Sequence, residues 1–349
     1  MLYREGREKM NERISRLRKE SFETKPSISI ERALLTTEFY RENAGKYSVP
    51  VMRALNFKNL CERKAIYIGP DELIVGERGP GPKVVSTFPE LNCHSGEDLR
   101  ILNARPMTNY RVEEEDIATF EREVVPYWKG RTVRDKIFSA MSKEWTNLYE
   151  AGTYTEFMEQ RAPGHTALDG AIYKTGLLDM KEKIQSVRSR LDWLNDPHAT
   201  EKDEELKAMV IACDASIIFA NRHADLAEQM AKSESDPARK AELLKIADVC
   251  RHVPAHAPRD FHEAIQTYWF THLGTITELN GWDAMSPGHF DIHLAPFYEQ
   301  GVADGTLDRE RAKELLSCWR PALSELHAGP AKSRRDGGGE RDLQRLHPD

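Results

Sequence analysis

The chain has 349 residues, which is enough for one large domain or two average ones with a sizeable core. Hydrophobic residues make up 40% and charged residues 31%, a balance typical of a globular protein and not of a disordered one. Fifty Lys plus Arg against 57 Asp plus Glu leave a formal charge of -7, so no global basic field favours nucleic acid or anionic lipid as a partner. Without an apolar run long enough for a membrane span or a signal peptide, we expect a cytoplasmic chain that does not contact membranes.

Three helices are predicted in the first 63 residues. Residues 11–22 alternate charged side chains with Ile14 and Leu17, and a second helix is expected from Ser27 or Ser29 to about Arg41. Residues 51–63 repeat the helical period.

The next part of the chain, residues 65–76, contains short β-prone runs. Ala65–Ile68 and Glu72–Gly76 are separated by Gly69-Pro70-Asp71 and predict two strands joined by a turn. Residues 76–89 contain three glycines and three prolines, which predicts a long loop without regular structure.

The rest of the chain is mainly helical in pattern. The strongest signal spans Asp203–Lys232, and Asp236-Pro237 begins a further helix that completes a helical hairpin. Residues 261–273 are apolar almost all round, as in an element buried on most faces. Helical spacing also recurs over 113–125 and 133–141.

Residues 156–166 include several charged and polar side chains close together in sequence. His165 could exchange a proton near neutral pH, with Arg161 holding an anionic group and Glu159 setting the local charge. The alternative is a surface loop with a solvated Glu-Arg pair and a capping histidine, which the residues alone favour.

A second segment, 277–293, mixes polar groups with aromatics, Gly and Pro, as at a cleft where loops meet a packed interior. Asp283 is its candidate chemical group. The alternative, equally open, is that Asp283 caps a short turn while Trp282 packs.

Metal binding has weak support. On a strand, His289, Asp291 and His293 would share one side, whereas Pro254 interrupts a helical pairing of His252 with His256. Ordinary hydrogen-bonded histidines and no metal are expected.

The five cysteines are odd in number and widely spaced, without a CxxC pair, and predict reduced, inert thiols: Cys61, Cys93, Cys213, Cys250 and Cys318.

Several long motifs, in order along the chain, resemble glycyl radical enzymes of the pyruvate formate-lyase-like group. They are ISIERALLTTEFYR (28–41), DELIVGERG (71–79), RDKIFSAMSKEW (134–145), FMEQRAPGHT (157–166) and TELNGWDAMSPGHFDIHLAPFYEQ (277–300). The resemblance covers roughly residues 10–318 and implies a mostly helical α/β fold, the N-terminal part of the barrel of these enzymes, with strands near 66–75 and more after Phe157.

The resemblance also implies anaerobic radical chemistry. In this family an activating enzyme, using S-adenosylmethionine and an iron-sulfur cluster, places a radical on a C-terminal glycine, and a cysteine thiyl radical then abstracts hydrogen from the substrate. The implied reaction is the dehydration of a small hydroxylated substrate, with trans-4-hydroxy-L-proline expected, by an enzyme that is a homodimer when full length. Another carbon-heteroatom lyase, a formate acetyltransferase-like enzyme or a noncatalytic helical interaction subunit are the alternatives.

By the same resemblance, Phe157, His165 and Asp283 match positions that line the substrate pocket, and His165 and Asp283 are the expected catalytic residues. A histidine and a carboxylate suit this chemistry because a departing hydroxyl must be hydrogen-bonded and protonated, and a cationic ring nitrogen needs an anionic neighbour.

The sequence departs from the family in two ways. Neither the radical glycine loop nor the cysteine motif followed by Glu is present, so we expect this chain to be inactive alone. We assign residues 1–318 to an incomplete family domain and 319–349 to a polar tail that we expect to be disordered, and hypothesise a frameshifted or truncated product, with half of a split enzyme as the alternative. A half-barrel of this kind is expected to expose apolar faces and strand edges.

Overall fold

A computed structural model describes residues 11–153, 168–279 and 287–324, with side chains up to residue 319. Helices dominate this part of the chain, as predicted. In chain order they are α1 Glu12–Glu23, α2 Glu31–Asn43, α3 Val49–Arg63, α4 Gly96–Ala104, α5 Glu114–Glu123, α6 Val125–Trp128, α7 Val133–Ala140, α8 Lys143–Glu150, α9 Leu177–Arg188, α10 Ala199–Ser233, α11 Pro237–His252, α12 Phe261–Glu278, α13 Phe290–Asp304 and α14 Arg309–Ser324. A 3₁₀ helix spans Asp169–Tyr173.

The described sheet is small. Strand β1 (Ser27–Ser29) pairs in parallel with β2 (Val84–Ser86), with Ile28 opposite Val85. β2 lies inside the segment 76–89, for which no regular structure was predicted, so that prediction is wrong over three residues. The apolar pair Val84-Val85 explains the exception, because Val85 is buried in a core with Ile28.

The strands predicted at 65–68 and 72–76 are absent from the structure. The backbone carbonyl groups there accept hydrogen bonds from side chains of a helix distant in sequence, and not from a neighbouring strand. His262 Nε2 donates to Leu73 O at 2.8 Å, and Trp269 Nε1 donates to Gly76 O at 2.8 Å. β-prone residues therefore form an extended segment that lies along α12. Strands expected after Phe157 are also not found among residues 168–279 and 287–324.

The predicted helical hairpin is confirmed as α10 and α11, which pack on each other. Asp236 caps α11 by accepting from the backbone N–H of Ala238 at 3.0 Å, and Pro237 occupies the first helical position. These local signals are readable in sequence because an orphan N–H needs a nearby acceptor and proline needs no N–H partner there.

The core lies around α12, as its apolar pattern indicated. Fourteen of the 18 residues of α12 are buried, and they pack against α10, α11, α13, α14 and the extended segment 68–75. A second core joins β1, β2 and α2 to α4, α5 and α6. The predicted domain boundary at 318 falls inside α14, and it stays a prediction.

An apolar groove of about 500 Å³ opens between α13 and α14. Phe261, Phe290, Leu294, Tyr298 and Leu316 line it. In the described part of the chain, no helix combines the length and apolarity needed to cross a membrane.

Candidate functional site

The three predicted site residues lie outside the described residues. Phe157 and His165 belong to residues 154–167, and Asp283 belongs to residues 280–286. What the structure describes is the framework from which these two segments depart and to which they return. We call them segment A (154–167) and segment B (280–286).

Residues that follow segment A and residues that follow segment B lie close together in the fold. Asp169, two residues after segment A, lies with its Oδ1 3.4 Å from Nε2 of His293, near the start of α13 and seven residues after segment B. The His293 ring stacks on Tyr173, with centroids 5.1 Å apart and planes inclined by 24°. A residue just after segment A and a residue near the start of the helix that follows segment B are therefore in contact.

Gly170 allows this close approach. A Cβ atom at Gly170 would lie 3.0 Å from Cε1 of His293, tighter than nearly all such contacts in proteins. Leu168 and Asp169 just before it have positive φ angles of 58° and 47°. Non-glycine residues adopt this left-handed conformation at a cost, so the surrounding contacts must hold the backbone there.

The upstream end of segment B is held by two arginines. Arg32 Nε donates to the carbonyl oxygen of Thr277 at 2.9 Å, and Arg53 Nε donates to Glu278 Oε1 at 2.7 Å. Both contacts fall in the last turn of α12. The final carbonyls of a helix lack partners within the helix, so a buried arginine satisfies one of them.

The upstream end of segment A follows α7 and α8, which contain no buried residue. The backbone N–H of Val133 donates to Glu90 O at 2.9 Å, and that of Arg134 donates to Leu91 O at 3.0 Å. A reciprocal capping box between Thr132 and Asp135 starts α7. The loop that holds Glu90 thus anchors the helices that precede segment A.

Three buried histidines, His262 and His272 on α12 and His223 on α10, are held neutral. Burial lowers the pKa of His223, His262 and His272 to about 4. His272 Nδ1 lies 3.0 Å from the hydroxyl of Tyr268, and its ring stacks on Trp269. These histidines serve the packing of the core.

The strand geometry considered for His289, Asp291 and His293 is wrong, since residues 290–304 form α13. On a helix, residues two apart do not share a face, so the three side chains do not converge. His252 and His256 stack with ring centroids 5.0 Å apart, and His252 Nε2 bonds to Ala257 O at 3.0 Å. Among residues 11–153, 168–279 and 287–324, no group of three or more His, Cys, Asp or Glu side chains could hold a metal ion.

All five cysteines are free, as predicted. Cys93 is half-buried, and its Sγ donates to the carbonyl oxygen of His94 at 3.5 Å. Burial raises the pKa of Cys61 and Cys318 to about 12 and that of Cys213 to about 11, and it also raises that of Cys250. The four buried thiols therefore stay protonated at neutral pH.

Arg32, Glu90 and Asp169 were missed as candidates in the sequence, and His293 was considered there only as a metal ligand. One signal was present for Arg32, which stands among the apolar residues Ile30, Ala33 and Leu34. A charged residue inside an apolar run is rarely buried unless it is paired.

Comparisons with known proteins agree with this framework. The sequence matches the family model described as pyruvate formate lyase-like over residues 9–342. It is 51% identical over 319 residues to trans-4-hydroxy-L-proline dehydratase of Clostridioides difficile, covering 91% of this chain and 40% of that protein. It is 33% identical over 329 residues to isethionate sulfite-lyase of Oleidesulfovibrio alaskensis, covering 89% of this chain and 39% of that protein.

Solved structures give the same result. The crystal structure of hydroxyproline dehydratase from Clostridioides difficile, with trans-4-hydroxy-L-proline bound, matches with a TM-score of 0.89 and 49% identity, covering 93% of this chain and 41% of that one. A glycyl radical enzyme from Archaeoglobus fulgidus matches with a TM-score of 0.81 and 30% identity, covering 90% and 40%. The chain thus spans about 40% of the length of the relatives it matches. The resemblance to glycyl radical enzymes and the predicted fold, a mostly helical part of such an enzyme, are confirmed, and the chain belongs to the pyruvate formate lyase-like family.

Proposed function

We propose that this chain is the substrate-binding N-terminal part of a glycyl radical dehydratase that acts on trans-4-hydroxy-L-proline. The observation that carries the proposal is the 51% identity to a trans-4-hydroxy-L-proline dehydratase over 91% of the chain. The match to a hydroxyproline dehydratase structure with that substrate bound supports it.

Phe157, His165 and Asp283 are the proposed pocket residues, with His165 and Asp283 catalytic. Their motifs resemble the pocket-lining segments of the family. The Asp169–His293 contact of 3.4 Å supports their proximity, because it joins the points at which segments A and B return to the fold.

A histidine and a carboxylate meet the two polar demands of the substrate. One group hydrogen-bonds the departing hydroxyl and supplies its proton, and the other balances the positive charge of the ring nitrogen. Phe157 adds an apolar wall that excludes water and strengthens both interactions.

The radical itself is proposed to come from outside this sequence. In the family, a glycyl radical installed by an S-adenosylmethionine-dependent iron-sulfur activating enzyme supplies the hydrogen abstraction. The cysteines present do not fit the radical-bearing thiol, since four are buried in the core and Cys93 contacts the backbone of His94. No radical step is assigned to this chain, and the activating enzyme and a full-length homodimer are the proposed partners.

A chimaera tests the proposal. Residues 10–318 would replace the matching portion of the Clostridioides difficile dehydratase, and consumption of trans-4-hydroxy-L-proline would be measured after activation. Activity is expected, and His165→Gln or Asp283→Asn should each lower turnover by about 100-fold or more, the usual range for a general acid or base.

Matched controls separate chemistry from folding. His198→Gln and Asp225→Asn remove an exposed histidine and an exposed aspartate, paired with Glu201 and Arg251, and should leave turnover within about two-fold. A folded, activated chimaera that consumes a different hydroxylated substrate would reassign the chain to another lyase. One that binds none would favour the interaction-subunit alternative.

A further inference from the structure

The groove between α13 and α14 carries two opposite charges on its two helices. Asp291, in the first turn of α13, and Arg309, in the first turn of α14, both line the groove and are both exposed. In the part of the chain whose side chains the structure describes, neither takes part in an ion pair or a side-chain hydrogen bond. Lys313, the other charged residue that lines the groove, pairs with Glu310 at 3.2 Å.

The two charges lie toward opposite ends of the groove. Phe290 at the start of α13 stacks on Trp319 near the end of α14, with ring centroids 4.5 Å apart. Where the two helices are connected, the N–H of Leu307 donates to Gly301 O at 3.0 Å. The helices α13 and α14 therefore run antiparallel, and their first turns lie at opposite ends of the pair.

Between these charges the groove is apolar. Leu294, Tyr298 and Leu316 line it, and Val302, one turn beyond Tyr298 on α13, is 47% exposed. A contiguous apolar surface rimmed by charged groups is typical of a protein contact site. Contact with a second apolar surface would remove these side chains from water and is favourable for that reason.

A surface with one acid and one base is complementary to a copy of itself. A two-fold axis in the plane of the contact, at right angles to the line from Asp291 to Arg309 and through its midpoint, places Asp291 of one copy against Arg309 of the other, and the reverse. Both charges gain a partner in one step. A uniformly acidic or uniformly basic partner would neutralise only one of them and repel the other.

We propose that two copies of this chain associate through the α13–α14 groove as a closed two-fold dimer, with reciprocal Asp291–Arg309 ion pairs. The proposal adds a contact surface to the homodimer named under the proposed function. It is tested on this chain alone, without substrate or turnover, so that its failure is distinct from failure of the proposed reaction.

Sedimentation equilibrium of the intact chain measures the dimer Kd. Asp291→Arg and Arg309→Asp should each raise the Kd by about ten-fold or more, because each puts like charges together at both contacts. Val302→Asp should also weaken the dimer, because it places a charge in the apolar part of the contact.

Matched controls change the same charges and the same kind of apolar residue elsewhere. Glu205→Arg on α10 and Lys240→Asp on α11 reverse exposed charges, and Leu244→Asp replaces an apolar residue of α11 that is 50% exposed. All three should leave the Kd within about two-fold. Thermal unfolding of every variant checks that the fold is retained.

A mixture of the two charge-reversed variants tests the two-fold arrangement itself. When Asp291→Arg meets Arg309→Asp, the introduced arginine faces the introduced aspartate at one contact, and the native Arg309 faces the native Asp291 at the other. The mixture should therefore form a heterodimer with a Kd within about three-fold of that of the unmodified chain, although neither variant dimerises well alone. The double variant Asp291→Arg/Arg309→Asp should recover the homodimer for the same reason.

Four results would overturn the proposal. The first is an unmodified chain that is still monomeric at about 200 μM, which would leave the groove to another polypeptide. The others are a dimer that is insensitive to both charge reversals, a mixture of the two variants that stays monomeric, and assemblies larger than a dimer, which would show an open head-to-tail contact.

Discussion

Gln266 and Val75 exchange two hydrogen bonds across the core. The N–H of Val75 donates to Gln266 Oε1 at 2.9 Å, and Gln266 Nε2 donates to Val75 O at 2.8 Å. A side-chain amide on α12 thus presents to Val75 the same donor and acceptor that a neighbouring strand would present. This pair explains how the segment 65–76 remains extended without belonging to a sheet.

We expect Gln266→Leu to lower the free energy of unfolding by about 2 to 4 kcal/mol, because the N–H and C=O of Val75 lose their partners while both remain buried. Urea unfolding measures the change. Gln185→Leu, at an exposed position of α9, is the control and should change stability by less than about 0.5 kcal/mol. Equal effects of the two substitutions would contradict this role of the Gln266–Val75 pair.

Acid should destabilise the protein through its buried histidines. Burial lowers the pKa of His223, His262 and His272 from 6.5 to about 4, so between these values the unfolded chain binds protons that the folded chain does not. The stabilisation is fully present above pH 6.5 and is lost as pH falls toward 4, by about 1 kcal/mol per pH unit for each histidine.

Unfolding curves recorded from pH 7.5 to 4.5 measure this slope. His223→Gln should make it shallower, since one of the three groups is removed, while His198→Gln should not, because His198 is exposed. A slope that is the same in both variants would show that the acid response comes from other groups.

Gly176 should not tolerate a side chain. A Cβ atom there would lie 2.3 Å from Ala255 O and 2.4 Å from His256 Cα, both backbone atoms that cannot rotate away. Gly176→Ala should destabilise by about 1 to 3 kcal/mol by displacing α9 from residues 254–256, which accept the N–H groups of Leu177 and Leu178. Thermal unfolding checks this, with Gly81→Ala as the control because its Cβ would meet only Val84 Cγ2 at an ordinary 3.9 Å.

Arg13 ties the first described helix to the last. Its Nε lies 3.2 Å from Glu314 on α14, Nη1 donates to Asp71 O at 3.0 Å, and Nη2 pairs with Glu242 on α11. Arg13, Glu242 and Glu314 are mostly buried, so loss of the arginine removes one of the two cationic partners of each carboxylate and leaves Arg239 with Glu242 and Arg311 with Glu314.

Arg13→Gln should therefore cost about 1 to 3 kcal/mol and release α1 first, seen as faster proteolysis within residues 12–23. Lys19→Gln, which removes an exposed pair with Glu23 on the same helix, should change little. Similar proteolysis of both variants would contradict an Arg13 anchor.

Local sequence signals predicted most helices because their causes are local. The period of apolar residues located α10 and α12, and Asp236-Pro237 marked the start of α11 through an acceptor and a fixed φ angle that act within one turn. The strand prediction for 65–76 failed for the converse reason. β-prone residues demand an extended backbone, but they do not specify whether another strand or a helix side chain supplies the hydrogen bonds.

The sequence by itself determined the helical class, the free cysteines and the family. Long motifs and the spacing of apolar residues can be read from residue order alone. His165 and Asp283 were proposed from motif resemblance and remain a proposal. Only the tertiary structure decided that Arg32 reaches Thr277, 245 positions away, and that Asp169 meets His293. Such contacts depend on how α2, α12 and α13 pack together, because a buried charge is stable only where folding brings acceptors from several elements to the same point.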